Sequence, residues 1–357
     1  MRLDLPGFID VHVHFRDPGM TDAENMSSGV AAARRGGFAA VVTMPNTKPA
    51  CDSPELISHQ RRLDGDVLVF PSAAITRGRL GREVSDIELL AESGAAFFTD
   101  DGSYVSDAHV MEDAMRRVAK LGMVVCEHAM APSIQAGGVI RDCALACRLN
   151  LPVIRPETEI EAIRRDVSIC RETGCRLHIQ HISTAGGVEL VREAQREGLP
   201  VTAEATPHHL LLSCDEIEAD DANFKMAPPL GNGEDRAELR RAVKDGVLMF
   251  ATDHAPHPAA TKSLGFAKSA NGIVGLECAV AITYSVMVEG EGMSVDAWAK
   301  AWSDKPRALL PQSMADLAAR RTTSVDTDAL RSVDVGSFAS LSRNCPYGGM
   351  QFRCWPM

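Results

Sequence analysis

No stretch of this chain approaches the roughly 18 consecutive apolar residues of a membrane span, so no membrane role is expected. The first residues lack a basic segment followed by an apolar core, so no signal peptide is visible and a cytoplasmic location is expected. There is no excess of positive charge: Lys and Arg number 37 against 48 Asp and Glu, a net charge of −11. Nucleic-acid binders need a basic face, so that class is set aside, although a local cationic pocket stays open. The ten cysteines show no regular spacing, which argues for free buried thiols rather than a disulfide framework. Low-complexity tracts are missing too. What remains is an ordinary globular composition, 45% hydrophobic and 24% charged over 357 residues, enough for one large domain or two smaller ones.

From the N-terminus to about residue 305, short apolar runs alternate with longer amphipathic ones. The apolar runs are 7–15, 38–44, 67–75, 95–99, 123–127, 177–181, 199–204 and 247–252. They are short and continuous, as strands buried on both faces should be. Helical segments are expected between them at 22–35, 54–63, 85–93, 107–121, 158–173, 187–197 and 235–244, several followed by glycine stops such as Gly174 and Gly246. Eight strands alternating with helices predict an α/β protein, a (β/α)₈ TIM barrel over residues 1–310; a doubly wound open sheet would use the same alternation. Residues 311–357 lose the alternation and are expected to form an irregular tail packed on the barrel.

The chemistry gathers at the strand ends, where a barrel of this kind carries its working residues. His12 and His14 are separated by one residue and so project to one face of the first strand, making half a metal site, with Arg16 two residues further on. Pro45-Asn46-Thr47 follows the second strand and Asp100-Asp101-Gly102 the fourth. Glu127-His128 ends the fifth, Gln180-His181 the sixth, and Thr252-Asp253-His254-Ala255-Pro256-His257 the eighth. Any one of these could be structural. Four histidines and two aspartates spread over five strand ends are hard to explain as caps, and zinc accepts both imidazole nitrogen and carboxylate oxygen. Arg16 offers a planar fork for a carboxylate, with the Asn46 amide as a candidate beside it.

Together these strings resemble the dihydroorotases of the amidohydrolase superfamily. The likeness runs from Gly7 to about Glu277 through His12–Gly19, Met44–Thr47, Phe98–Gly102, His178–Gly187, Thr206–Leu212, Asn223–Leu230, Ala251–His257 and Gly272–Glu277, with a weaker echo at Asn344–Gly349. It implies two Zn²⁺ ions: His12, His14 and Asp253 as ligands of the first, His128 and His181 of the second. Asp101 is the implied bridge, in the branch that uses Asp instead of a carboxylated lysine, with Asp100 its neighbour. Allantoinases carry Asn at the position of Arg16 and hydantoinases also lack the Arg, so the resemblance implies a ring substrate with a free carboxylate. His14, Arg16, Asn46, His257, Asn271 and Gly272 are the implied substrate contacts. The implied reaction is the reversible closure of N-carbamoyl-L-aspartate to L-dihydroorotate in pyrimidine synthesis, metal-bound hydroxide attacking the ring amide in the opening direction and Asp253 shuttling the proton. The remaining histidines receive plainer roles: His208 and His209 structural, His254 bonded within its own loop, His59, His109 and His178 without a part in the chemistry.

Three departures from the family pattern matter. Eleven residues precede His12, where relatives carry several dozen that start a small β-sandwich. That sandwich is therefore expected to be missing or vestigial, leaving the barrel floor and tail to be covered from elsewhere, for instance by a subunit interface. Ala227 stands where relatives have a substrate-contacting Asn, and Ala270-Asn271-Gly272 replaces a Pro-Phe-Gly. The loop 258–268 also diverges. Alternatives are a cyclic amidase for another carboxylated ring, or a scaffold binding aspartate transcarbamoylase. Such a partnership is compatible with catalysis, and a homo-oligomer is expected.

Overall fold

In a computed structural model of the chain, residues 1–134 and 137–357 are described. Strand β1 (Arg2–Pro6) precedes the barrel. The barrel staves are β2 (Phe8–Val13), β3 (Phe38–Thr43), β4 (Leu68–Pro71), β5 (Val124–Glu127), β6 (Arg176–Ile179), β7 (Val201–Ala205) and β8 (Leu248–Phe250). Adjacent staves within β2–β4 and within β5–β8 pair in parallel. The expected strand at 95–99 is reduced to single pairings, Phe98 with Ala73 and with Val125, yet it bonds to both sides: Thr99 N donates to Ala73 O at 2.9 Å and Cys126 N to Phe98 O at 2.8 Å. It is the stave joining the two groups. Val13 pairs with His254 and closes the ring.

Helices between the staves start where the sequence supplies caps. Asn25 and Ser28 form a reciprocal capping box on Met26–Arg35, and Thr184 caps Ala185–Arg196 through Gly187 N. Glu157–Thr173 ends on Gly174 at φ 66°, a conformation open to glycine at little cost. Alternate stave residues pack against the helices, whereas Ala40, Val42, Leu68, Phe70, Val124, Cys126 and Met249 form a second cluster. That second cluster also takes in Leu309, Leu310, Met314 and Ala318. Met314 and Ala318 are one turn apart on helix Gln312–Ala319, so the chain supplies its own cover for this end of the barrel. The expectation of outside cover is corrected there.

The tail is also more regular than expected. Strand β9 (Thr322–Ser332) lies between β1 and β10 (Gln351–Pro356) in an antiparallel sheet, with Arg2 opposite Asp326 and Pro6 opposite Thr322. The inward residues of β9 are Thr323, Val325 and Thr327, with Ser324 and Asp326 between them. Two of the three inward positions are threonines, so hydropathy hides an alternation that the backbone obeys. Strand β1, inside the span 1–310 expected to be barrel, thus belongs to this sheet, and the barrel begins at β2. The outward face of the sheet is polar: Arg2, Asp4 and Ser324 bond to one another, and Asp326 accepts from the N-terminal ammonium of Met1 at 3.0 Å. All ten cysteines are free thiols. Among the described residues no helix is long and apolar enough to cross a membrane.

Two tryptophans pin the last barrel helix, Val295–Trp302. Trp298 meets Phe8 and Trp302 meets Phe38 and Phe250, with ring centroids 5.1–5.3 Å apart. Both indole N–H groups donate to one acceptor, Thr283 Oγ1, at 3.1 and 2.9 Å. Trp302→Ala leaves a cavity against two staves, β3 and β8, so a loss of about 3–5 kcal/mol is expected, measured by urea denaturation.

Candidate metal centre

Of the strand-end residues that the sequence marks out, His12, His14, Arg16, Asn46, Asp101, His128, His181, Asp253 and His257 are delivered to one place. His12 and His14 leave β2 with ring centroids 5.4 Å apart. Nδ1 of His12 lies 2.6 Å from Glu204 Oε1 and Nδ1 of His14 lies 2.8 Å from Asn46 Oδ1. In both rings that assigns the proton to Nδ1 and turns the Nε2 lone pair inward. The inward nitrogens then face carboxylate oxygens: His12 Nε2 is 3.2 Å from Asp101 Oδ1 and 3.5 Å from Asp253 Oδ1, and His14 Nε2 is 2.9 Å from Asp253 Oδ1. His128 Nδ1 and His181 Nε2 stand 2.8 Å apart, each 3.6 Å from Asp101 Oδ1. His12 Nε2 is buried and has no hydrogen bond of acceptable geometry.

Lone pairs aimed at carboxylate oxygens across about 3 Å repel unless a proton or a cation lies between them. A donor set of four imidazoles and two carboxylates, all buried, is what a divalent ion of the zinc type accepts. Two overlapping triads bring their ligand atoms within 4.8 Å of one another: His12, Asp101 and His181, and His12, His14 and Asp253. These residues could hold a metal ion. Of the two neighbouring aspartates only Asp101 is aimed inward. Asp100 turns to Thr76, taking Thr76 N at 3.1 Å and the Thr76 hydroxyl.

The site is held by residues that the sequence reading passed over. Glu204 sits at 0% exposure on β7, bonded to His12, to His178 Nε2 at 2.9 Å and to His181 N at 3.2 Å. Burial alone would raise its pKa, but His12 and His178 outweigh that and hold it down at about 2. Its signal was available: a lone carboxylate inside the apolar run 199–204. His178, read as idle, positions this carboxylate, its other nitrogen 2.8 Å from Thr202 Oγ1. Burial likewise opposes the charge on Asp101 and Asp253, and the surrounding imidazoles overcome it, so both are held well below the usual carboxylate range. Arg79 donates to the carbonyls of Asp100 and Asp101 and to Ser103 Oγ, fixing the turn that presents Asp101. Arg16, Arg79, His181 and Asp253 all have positive φ (51°, 58°, 32° and 49°), a conformation that L-residues adopt at a cost and that concentrates at functional sites.

A cavity of about 210 Å³ opens over these groups, lined by His14, Asn46, Asp101, His128, His181 and Asp253 on the metal side and by Arg16, His257, Asn271, Gly272, Ala227 and Ala255 elsewhere. Arg16 is buried, its Nε donating to Pro256 O at 3.2 Å and its Nη2 lying 3.4 Å from His257 Nε2. Burial draws it down to about 10, so it stays charged at neutral pH. Burial and then Arg16 push His257 down to about 3, leaving a neutral ring whose Nε2–H donates to Asn271 O at 2.6 Å. Asn46 lines the cavity, but its amide is engaged: Oδ1 with His14 and Nδ2 with Asp101 Oδ2 at 3.4 Å. Asn271 is exposed and contributes its carbonyl. Gly272 has φ +125°, and a Cβ there would fall 2.6 Å from Ala255 Cβ. His254 bonds within its loop as expected through its backbone, N donating to Thr252 Oγ1 at 3.0 Å, while its side chain reaches out of the loop. Its Nε2 faces Glu24 Oε2 at 3.3 Å, because the end of β8 abuts the turn that enters the first helix. His209 bonds to Thr206 and to Pro228 O, a structural arrangement.

Comparison with known proteins places this geometry. The profile of the dihydro-orotase-like family matches residues 1–186. A dihydroorotase of Bacillus caldolyticus is 40% identical over 368 aligned residues, covering all of this chain and 85% of the relative. Among solved structures, the L-hydantoinase (dihydropyrimidinase) of Arthrobacter aurescens superposes with a TM-score of 0.82 at 22% identity, covering 99% of this chain and 83% of that one. The dihydroorotase of Saccharomyces cerevisiae in complex with 5-fluoroorotic acid gives 0.79 at 16% identity, covering 100% and 98%. The two structures establish the TIM-barrel fold. The profile match and the full-length identity establish descent: the chain belongs to the dihydroorotase-like family of amidohydrolases.

Proposed function

We propose that this protein is a dihydroorotase, a hydrolase that interconverts L-dihydroorotate and N-carbamoyl-L-aspartate in pyrimidine synthesis. The observation that carries the reading is one cavity with two chemistries: inward-facing imidazoles and carboxylates on one side, a buried arginine on the other. A volume of about 210 Å³ suits a small ring and excludes a polymer.

Two zinc ions would fit the donor set, with His12, His14 and Asp253 to hold one, His128 and His181 to hold the other, and Asp101 available to either. When bound, such ions lower the pKa of water and polarise the amide carbonyl. The side chains do the rest. Asp253, held ionised by its histidine neighbours, accepts the proton of the attacking water on its carboxylate and passes it to the leaving ring nitrogen. Arg16 binds the substrate carboxylate through the guanidinium edge that Pro256 leaves free, with neutral His257 beside it. Together they orient the ring so that its amide faces Asp253. Asn46 steadies His14 and Asp101 from the cavity edge. The cytoplasmic location, a homo-oligomer and an accompanying association with aspartate transcarbamoylase belong to the same reading. Retention of the whole donor set supports catalysis over a scaffold role alone.

One observation favours a second substrate. Ala227 gives the cavity wall no polar side chain, so another carboxylated cyclic amide is the alternative. Ring opening assayed over dihydroorotate, hydantoin and carboxymethyl-hydantoin decides. Dihydroorotate turnover that a chelator abolishes and zinc restores is expected; turnover of another ring in its place overturns the assignment. Arg16→Lys keeps the charge and loses the bidentate fork, so KM for dihydroorotate should rise about 10–100-fold with a smaller change in kcat. Glu204→Gln removes the negative charge behind His12 and leaves one acceptor oxygen for three donors, so zinc affinity measured by titration of the apoprotein should fall on the order of 10–100-fold.

A further inference from the structure

Lys262 ends the short helix Ala259–Lys262, in the loop 258–268. Its side chain is buried, and among the described residues no carboxylate pairs with it. Instead Nζ donates to three backbone carbonyls: Gly272 O at 2.9 Å, Ala270 O at 3.0 Å and Lys225 O at 3.2 Å. An ammonium has three hydrogens, and all three are used. Burying a cation with no carboxylate in ion-pair contact is costly, and here burial, then Lys225, brings its pKa down to about 7 against the weaker pull of Asp221.

The carbonyls it holds belong to two segments that meet at the cavity. Gly272 N donates to Lys225 O at 3.0 Å, so the ammonium sits over an existing junction. Between the two carbonyls taken by Lys262 on residues 270 and 272 lies Asn271 O, the acceptor of His257 Nε2. From the other side Asn344 closes the clamp. Its Nδ2 donates to Gly272 O and Ala255 O, both at 3.0 Å, and its Oδ1 takes His257 N at 3.2 Å. The peptide 270–272 therefore has one allowed place, and that place fixes the His257 ring beside Arg16.

We infer that Lys262 is a positioning residue of the substrate pocket: it sets the wall formed by Ala227, Asn271 and Gly272, and with it the His257 ring, without touching the substrate. This rests on the dihydroorotase reading, and it matters most in a chain whose residue 227 has no polar side chain of its own to fix the ring.

The test uses Lys262→Met and Lys262→Gln in the full-length protein. Hydrogen–deuterium exchange of the ligand-free protein should show the amides of 225–227 and 268–274 exchanging about tenfold faster in the Met variant, with the barrel staves unchanged. Gln, which keeps one donor group, should give an intermediate value. In the dihydroorotate assay KM should rise about tenfold while kcat changes by less than about threefold and bound zinc is unaltered. Unchanged exchange in both segments overturns the inference, as does a kcat that falls as far as KM rises. If the Met variant does not fold, the Gln variant is read in the same two ways. If the wild type leaves dihydroorotate untouched, the functional reading falls, and the exchange data still decide the role of Lys262.

Discussion

Closure of the barrel by its first strand against its last is the constraint on which the site depends. Val13 pairs with His254, His14 N donates to His254 O at 2.9 Å, and Asp10 accepts Thr252 N at 3.0 Å. These contacts join residues about 240 positions apart in the chain. They carry His12 and His14 to Asp253 and, a few residues further along both strands, Arg16 to Pro256 and His257. Metal side and substrate side are thus set by one seam. A shift of one residue along it would point the two histidines away from Asp253, since neighbouring residues of a strand face opposite ways.

Around that seam the fold tolerates an unusual density of buried charge. Asp101, Asp253 and Glu204 are all excluded from water, and so are His12, His14, His128 and His181. An isolated carboxylate in such surroundings would take up a proton. Here each has imidazole neighbours, and the outward ring nitrogens of His12 and His14 are bound by Glu204 and Asn46. The arrangement is polarised in layers: backing residues hold the rings, the rings present lone pairs, and the carboxylates sit among them. The positive φ at Arg16, His181 and Asp253 shows that the backbone is bent to serve this arrangement.

Much of this was legible in the sequence because it is periodic or local. Apolar runs gave the staves, glycines marked several helix ends, and His12-Val13-His14 announced its geometry by spacing alone. What escaped notice depends on neighbours far away in the chain. Glu204 stood in plain view as a carboxylate in an apolar strand, but its partners are at 12, 178 and 181. His254 looked like a loop residue because its partner, Glu24, is 230 positions earlier. Strand β9 was hidden by threonines doing the work of apolar residues, and Met314 and Ala318 became the barrel's cover only once helix 312–319 folded under it. Asn344 had been noticed only as an echo. Its function is to bridge two loops that meet in space and nowhere in sequence.

The pairing of β1 with β9 has a consequence for the order of events during synthesis. Residues 2–6 emerge from the ribosome well before residues 322–326, the partners they pair with. At about 5–20 residues per second that is a wait of roughly 15–60 s. Through that interval an unpaired edge with two apolar side chains, Leu3 and Leu5, is held at one end of a nascent barrel. Unpaired edges invite pairing with other chains. Arg2 and Asp4, alternating with those leucines, place charge on the waiting strand and blunt that tendency until the sheet can form.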